Sequence, residues 1–395
     1  MSPGKATNSG HTVRVAAVQA ANRTISYKIG GGDEALAAVR ANLQALVGLA
    51  ERAADQGCQI IALPEDCLGT LEWEAGHWDE APQVLRACEA DMLAALGEVA
   101  GRTGMHIVCC NDLMGPNPTD SGPTDSGPKD SQDAGAEAVY NTAVLLGPGG
   151  ELGRYHKVQP TWSERARARG TSFPVFDVPG VGPVGMCICY DIMFPETTRA
   201  LALGGADIVF HCTLGGASLA SAAASRAAFI ARAVENYLYL VVAFRGGGSL
   251  VIDPRGEILA EGGEPDAILA VDIDPAGNRE AGDALGGTTA DFRARLFRER
   301  NPAAYSILTE PHPPALDRLA HVSLPTVEEA AAKMAEGLTT GADAFYEAEK
   351  RAADGRTEEA RQRFEELAER FGTIWIGRAS RERLAALERD IGRDR

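Results

Sequence analysis

The chain has 395 residues, of which 45% are hydrophobic and 24% charged, and its formal charge at pH 7 is −17. That composition suits a globular protein large enough to bury one sizeable core and a smaller unit. The acidic balance argues against a broad nucleic-acid surface or an anionic membrane as partner, because neutralising phosphates needs clustered Lys and Arg. It leaves a small-molecule pocket open.

Residues 1–11 are polar and are expected to be disordered. They hold no apolar stretch of a secretion signal, and no run nears the ~18 apolar residues of a membrane span. The first strand is expected at "TVRVAAVQA" (12–20). A long helix follows over 33–57, where Leu36, Val39, Leu43, Leu46 and Leu49 recur at helical spacing and Gly57 supplies the stop. "CQIIALPED" (58–66) reads as a strand, 86–103 as a helix and "MHIVCCND" (105–112) as a third strand. Residues 115–138, in which "TDSGP" occurs twice in tandem, are too poor in apolar side chains to bury a core, and read as a mobile surface insertion.

Strands resume with a hairpin over 138–158, turning at "PGG". "PVGMCICYD" (183–191) is expected to be one strand, with a helix from Pro195 to Leu203 after it. "ADIVFHC" (206–212), a helix over 225–237, "LYLVVAF" (238–244), a hairpin around "DPRG" (249–261) and "AILAVDID" (267–274) complete a layered α/β unit over about 12–280. Residues 281–325, rich in Gly, Arg and Pro, read as an irregular arm. Residues 326–395 read as a helical extension in which Phe345, Ala348 and Ala352, then Ala360, Phe364, Leu367 and Phe371, form one tetratricopeptide-like hairpin around Gly355.

Chemistry concentrates at strand ends. Glu65 closes "IIALPED", Lys157 closes "LGRYHK" and Cys189 closes "VGMCIC". A carboxylate can take a proton from a thiol, and an ammonium can stabilise a thiolate and then an oxyanion. Spacing alone does not bring the three together. Of the eight cysteines, most sit in apolar or helical stretches, so the set reads as reduced thiols of a cytoplasmic protein. By residue type alone, Cys187 and Cys189 could be core thiols, ligands of one ion on a shared strand face, or a nucleophile and its neighbour. Against a metal, the spacing is not C-x₂₋₄-C, and the nearest further candidates, His211 and Cys212, lie on another strand with side chains pointing apart. There is no G-x-S-x-G for a Ser-His-Asp hydrolase and no G-x-G-x-x-G or Walker sequence after a strand, so no cofactor and no metal are expected.

The segments "LPED", "GRYHKVQPTWSE" and "CICYDIMFPE", in that order, resemble the three signature regions of the nitrilase superfamily of carbon–nitrogen hydrolases. The likeness runs over about residues 12–275 and includes "YNTAVLLGPGGELGRYHK", "IARAVENYLYLVV" and "GGSLVIDPRGEIL". It implies a four-layer α-β-β-α sandwich, commonly dimeric or larger. It also implies a Glu-Lys-Cys triad: Glu65 as general base, Lys157 as cationic stabiliser and Cys189 as nucleophile, with Cys187 left to packing. Glu164 falls where many members carry a second glutamate near the triad. Tyr190 would offer its backbone N–H to the oxyanion. The implied function is thiol-dependent hydrolysis of a small amide or N-carbamoyl compound through a thioester. A nitrile-hydrolysing enzyme and a non-catalytic dimeric scaffold that binds a partner through the C-terminal helices are the alternatives. Three departures bear on the substrate. Met193 stands where many members have Arg, "TLGGAS" lacks a bulky aromatic, and the loop in "AFRGGGSLVID" is short. A short wall implies an open pocket, or one completed by the 281–325 arm.

Overall fold

The computed structural model describes residues 11–117, 137–164, 166–214, 222–277, 291–372 and 374–393. The N-terminal tail up to residue 10, the centre of the 115–138 insertion and residues 281–290 of the arm lie outside the described residues.

Among the described residues, twelve strands form two sheets: β1 (Val13–Gln19), β2 (Ile60–Ala62), β3 (His106–Pro116), β4 (Glu137–Gly147), β5 (Gly150–His156), β6 (Val175–Val178), β7 (Gly182–Ile188), β8 (Ile208–Thr213), β9 (Tyr239–Phe244), β10 (Leu250–Ile252), β11 (Ile258–Glu261) and β12 (Ala267–Ile273). The strand orders are β12-β1-β2-β3-β4-β5 and β11-β10-β9-β8-β7-β6. The two sheets repeat one pattern. In each, three central strands run parallel (β1, β2, β3 and β7, β8, β9), and antiparallel neighbours flank them.

Period two explains how these strands serve two cores at once. Along β1, Val13, Val15 and Ala17 enter the layer between the sheets, where they meet Val184, Met186, Ile188, Phe210 and Val241. Ala16 and Val18 point the other way, onto helices α1 (Gly32–Asp55) and, past a short α2 (Leu71–Gly76), α3 (Ala81–Thr103). Both faces are buried, so the central strands read as continuous apolar runs. On the outer face of the second sheet lie α4 (Pro195–Leu203) and α5 (Ala222–Asn236), joined to it through Leu201, Phe229 and Val242. The result is an α-β-β-α sandwich. In α1 the buried side chains Val39, Leu43, Leu46 and Leu49 follow the helical spacing of the sequence, and Gly57, at φ 78°, turns the chain after it. Leu46→Ala would cost about 2–5 kcal/mol, because Leu46 is fully buried.

Three expectations need correction. First, the strand expected over 183–191 stops at Ile188. Cys189 takes φ 45° and opens a 3₁₀ turn, Cys189–Met193, because the Asp191 carboxylate accepts the Ile188 N–H (2.9 Å) and folds the chain back on itself. Cys187 and Cys189 therefore do not share a strand face. Cys187 packs with Ile192, Leu201 and Phe229 beneath the outer helices, whereas Cys189 borders the core between the sheets. Two thiols in different layers do not converge on one ion. Second, the arm is not irregular over its described part. It contains α6 (Phe292–Arg298), a 3₁₀ turn (Pro302–Thr309) and α7 (Pro314–Leu319). Asp291 caps α6 by accepting the Ala294 N–H (2.8 Å), and Pro302 and Pro314 open the next two turns. Third, β3 and β4 run to Pro116 and from Glu137, which pair with each other, so the low-complexity tract leaves from the tip of a long hairpin.

The C-terminal helices are α8 (Val327–Glu336), α9 (Ala342–Ala353), α10 (Thr357–Phe371) and α11 (Trp375–Arg393), with a π turn at Gly337–Gly341 joining α8 to α9. Phe345, Ala348, Ala360, Phe364, Leu367, Phe371 and Ile376 make a core of their own, apart from the sandwich. Gly355, at φ 78°, makes the turn between α9 and α10. Among the described residues no helix is long and apolar enough to cross a membrane.

Candidate active site

The ends of β2, β5, β7 and β8 converge. Glu65 lies three residues past β2, and its carboxylate is held on both oxygens: Oε1 accepts from Asn141 Nδ2 (2.7 Å) and Lys157 Nζ (3.2 Å), and Oε2 accepts the Leu214 N–H (2.9 Å) just beyond β8. Lys157 follows β5 directly. Its N–H donates to the Asn141 carbonyl (2.9 Å), so β4 guides it after the strand ends. Its ammonium also donates to both oxygens of Glu164 (3.1 and 3.0 Å), on the 3₁₀ turn Trp162–Glu164. Lys157 and Glu65 are each 2% exposed. A buried ammonium between two carboxylates keeps its charge only because the partners outweigh the loss of water. Burial alone would push the Lys157 pKa down; Glu164 and Glu65 reverse this and hold it well above the ordinary lysine value. Burial likewise works to raise the Glu164 carboxyl, but Lys157 and Arg167 pull it down to about 2.

Cys189 sits at the start of its turn, half-buried, within the field of the same groups. Burial, then the Glu65 charge, push its thiol well above the usual cysteine range, against the pull of Lys157. The direction of these effects favours the protonated thiol over a standing thiolate. This differs from the simple expectation that a nearby ammonium favours a standing thiolate. Both the carboxylate and the lysine act on the sulfur, and in this buried setting the carboxylate and the lost solvation win. Asp191 staples the two sheets beside it. Besides the Ile188 N–H, it accepts the Gln159 N–H (2.8 Å) and the Tyr155 hydroxyl (2.7 Å), which ties the Cys189 turn to the Lys157 segment. Cys187 is fully buried, its sulfur 3.4 Å from His211 Nδ1. Burial and Lys157 hold the His211 ring neutral, with a pKa of about 3.

A small cleft lined by Glu65, Asp66, Leu71, Asp112, Asn141, Glu164 and Leu214 adjoins this cluster through Glu65 and Glu164; Lys157 and Cys189 lie beside it and are not among its lining residues. The structure thus brings Glu65, Lys157, Cys189 and Glu164 together. Tyr190 is placed in the turn after Cys189, but its ring packs edge-on against Phe194 (5.4 Å) and does not line the described cleft. Sequence reading missed Asn141, Asp66 and Asp112. The signal was present as single polar residues interrupting apolar strand text in "VYNTAV" and "CCND". The described part of the arm does not complete the pocket. Its Arg293 pairs with Asp207, ahead of β8 and so at the far end of that strand from Leu214. Instead α8 packs on the Trp162–Glu164 turn, and Trp162 Nε1 donates to the Pro325 carbonyl (2.9 Å).

The comparisons with known proteins agree with this geometry. The carbon-nitrogen hydrolase family model matches residues 14–282. A nitrilase of Pyrococcus abyssi is 31% identical over 236 residues, covering 56% of this chain and 79% of the relative. A deaminated glutathione amidase of Synechocystis is 30% identical over 258 residues, covering 59% and 86%. Among solved structures, an amidase from Nesterenkonia sp. superposes with a TM-score of 0.51 at 26% identity, covering 75% of this chain and 99% of its own. A variant of the same amidase, also at 26% identity and a TM-score of 0.51 over 76% of this chain and all of its own, carries the acetamide moiety of fluoroacetamide on its active-site cysteine. With the family model spanning most of the chain and the sandwich matching as well, this protein belongs to the carbon–nitrogen hydrolase family.

Proposed function

We propose that this protein hydrolyses the carbon–nitrogen bond of a small non-peptide amide or N-carbamoyl compound, with Cys189 as nucleophile, Glu65 as general base and Lys157 as oxyanion stabiliser. Glu65 takes the thiol proton as the sulfur attacks the carbonyl carbon. The tetrahedral oxyanion is neutralised by the Lys157 ammonium, assisted by the backbone N–H of Tyr190. Glu65 returns the proton to the nitrogen, ammonia or an amine leaves, and a thioester remains. Glu65 then deprotonates a water, which attacks the thioester and releases the acid and the thiol. Glu164 keeps Lys157 charged and in place. In this reading residues 12–280 form the catalytic unit and 326–395 a helical appendage. The chain associates at least as a dimer, a step supported by the exposed apolar side chains of Ile307, Leu308, Leu319 and Leu324 and tested by light scattering.

The observation that carries the reading is the Glu65–Lys157–Glu164 ion cluster beside Cys189, at the ends of strands from both sheets. A panel of amides, N-carbamoyl amines and nitriles, scored by released ammonia, tests it. Wild type should turn over at least one amide or N-carbamoyl compound, and Cys189→Ala none. Intact mass should place an acyl adduct on the Cys189 peptide. Cys187→Ala should lose stability and keep activity. An active Cys189→Ala protein would overturn the assignment, and a folded wild type that releases no ammonia would favour the scaffold reading.

A further inference from the structure

The charge arrangement of the cleft bears on which amides it accepts, a question that rests on the hydrolase reading above. Four carboxylates line the cleft: Glu65, Asp66, Asp112 and Glu164. The cations behind them are committed. Lys157 lies between Glu65 and Glu164. Arg245 Nη1 donates to Asp66 Oδ2 (2.5 Å) and to its carbonyl (3.1 Å). Arg167 donates from Nε to Asp112 Oδ2 (2.5 Å) and from Nη2 to Glu74 Oε2 (3.1 Å). Arg167 and Arg245 are 9% and 13% exposed, so neither presents a guanidinium outward. At Met193, where the resemblance expects Arg, the nearby Arg232 is turned to the backbone: it donates to the carbonyls of Ile192 (3.1 Å) and Met193 (3.3 Å). Among the described residues that line the cleft, the remaining groups are apolar or neutral: Leu71, Leu214 and Asn141.

We propose that this cleft selects amides whose acyl group is uncharged or carries an ammonium, and rejects amides with a carboxylate a few bonds from the reacting carbonyl, Asp66 and Asp112 being the selecting residues. A substrate carboxylate would enter a space lined by four carboxylates whose cations are already engaged. To gain a cation it would have to displace Asp66 from Arg245 or Asp112 from Arg167, leaving a buried carboxylate unpaired. An ammonium meets the opposite situation. Asp66 and Asp112 are close enough for the charge of one to act on the other, and a cation between them relieves that repulsion. Burial raises the Asp66 carboxyl and Arg245 opposes the rise.

Three amides of similar length separate the cases: pentanamide, 4-aminobutanamide and the monoamide of succinate. Wild type should use the succinate monoamide at least about tenfold less well than pentanamide in kcat/KM, and 4-aminobutanamide as well as pentanamide or better. Equal use of the succinate monoamide and pentanamide overturns the proposal. So does use of 4-aminobutanamide more than about tenfold below pentanamide. In Asp66→Asn, Arg245 loses its carboxylate partner while keeping the backbone carbonyl of residue 66, and the ratio of succinate monoamide to pentanamide should rise. A folded Asp66→Asn protein with an unchanged ratio overturns the role of Asp66, and Asp112→Asn repeats the test where Asp66→Asn does not fold. Thermal shifts of Cys189→Ala with the same three compounds read the charge order without turnover. They should stabilise in the order 4-aminobutanamide, pentanamide, succinate monoamide, and the reverse order overturns the proposal even if the hydrolase reading itself has failed.

Discussion

The sandwich and the C-terminal helices use charge in opposite ways. At the cleft, ammonium, guanidinium and carboxylate groups are buried and shared: Lys157 serves two carboxylates, and Arg167 two more. On α10 the pairs are exposed and one turn apart, with Arg361 meeting Glu358 and Glu365, and Arg363 meeting Glu366. A buried cluster is expensive to break and holds its members in one geometry, whereas exposed pairs are screened by water and contribute little. The two regions meet at a seam that has some of both characters. Trp162 donates to the Pro325 carbonyl, and Asp343 of α9 accepts from the Tyr27 hydroxyl (2.7 Å) and Lys28 Nζ (2.6 Å).

The sharpest test of the contrast is Lys157→Met. It removes the cation common to Glu65 and Glu164, so turnover should fall on the order of 10²–10³ or more. Two buried carboxylates lose their partner, and urea unfolding should show a loss of about 3–5 kcal/mol. The acid side of the stability profile should change as well. A carboxyl held at about 2 stabilises the fold above the usual carboxylate range and gives that up as pH falls toward 2. Without Lys157, Glu164 titrates higher, the gap to its unfolded value narrows, and this part of the acid loss should shrink.

His211 should show the next effect. Its ring is kept neutral down to about pH 3, whereas in the unfolded chain it takes a proton near 6.5. Stability should therefore decline as pH drops from 6.5 toward 3. Asp191, raised to about 6 by burial, acts in the opposite direction over part of that range. Melting temperatures of His211→Asn against pH should give a flatter acid limb than wild type. An unchanged limb would show that the ring is not neutral in the fold.

At the seam, Trp162→Phe removes one hydrogen bond, worth about 1 kcal/mol. Because the same turn carries Glu164, kcat should fall modestly while KM changes little. An unaltered kcat would mean that the C-terminal helices do not influence the site. The smallest effect is expected from Arg361→Ala, whose melting temperature should match wild type within error at both low and high salt. A clear loss there would blur the distinction between the two regions.

Residue types at strand ends singled out Glu65, Lys157 and Cys189, and only the family resemblance joined them into one candidate site and added Glu164. Glu65, Lys157, Cys189 and Glu164 stood in recognisable text, and the structure places all four together. The end of β7 was not legible. "PVGMCICYD" alternates no differently at Cys189 than at Cys187, and only the Asp191 carboxylate folding back on the Ile188 N–H ends the strand between them. Asp66 and Asp112 also escaped notice. A carboxylate at a strand end looks like a solvated one until Arg245, 179 residues away from Asp66, closes over it.

Local pattern, then, settled most of the strands and helices of the sandwich and the apolar faces they bury, because periods of two and 3.6 are imposed by backbone geometry on any apolar sequence that must cover a core. Tertiary structure alone decided which charged groups meet. Lys157 reaches Glu65 across 92 residues of chain. Whether such a lysine is a solvated surface cation or a buried, permanently charged partner of two carboxylates depends on desolvation and on neighbours that packing brings from elsewhere, and neither is a property of the residues beside it.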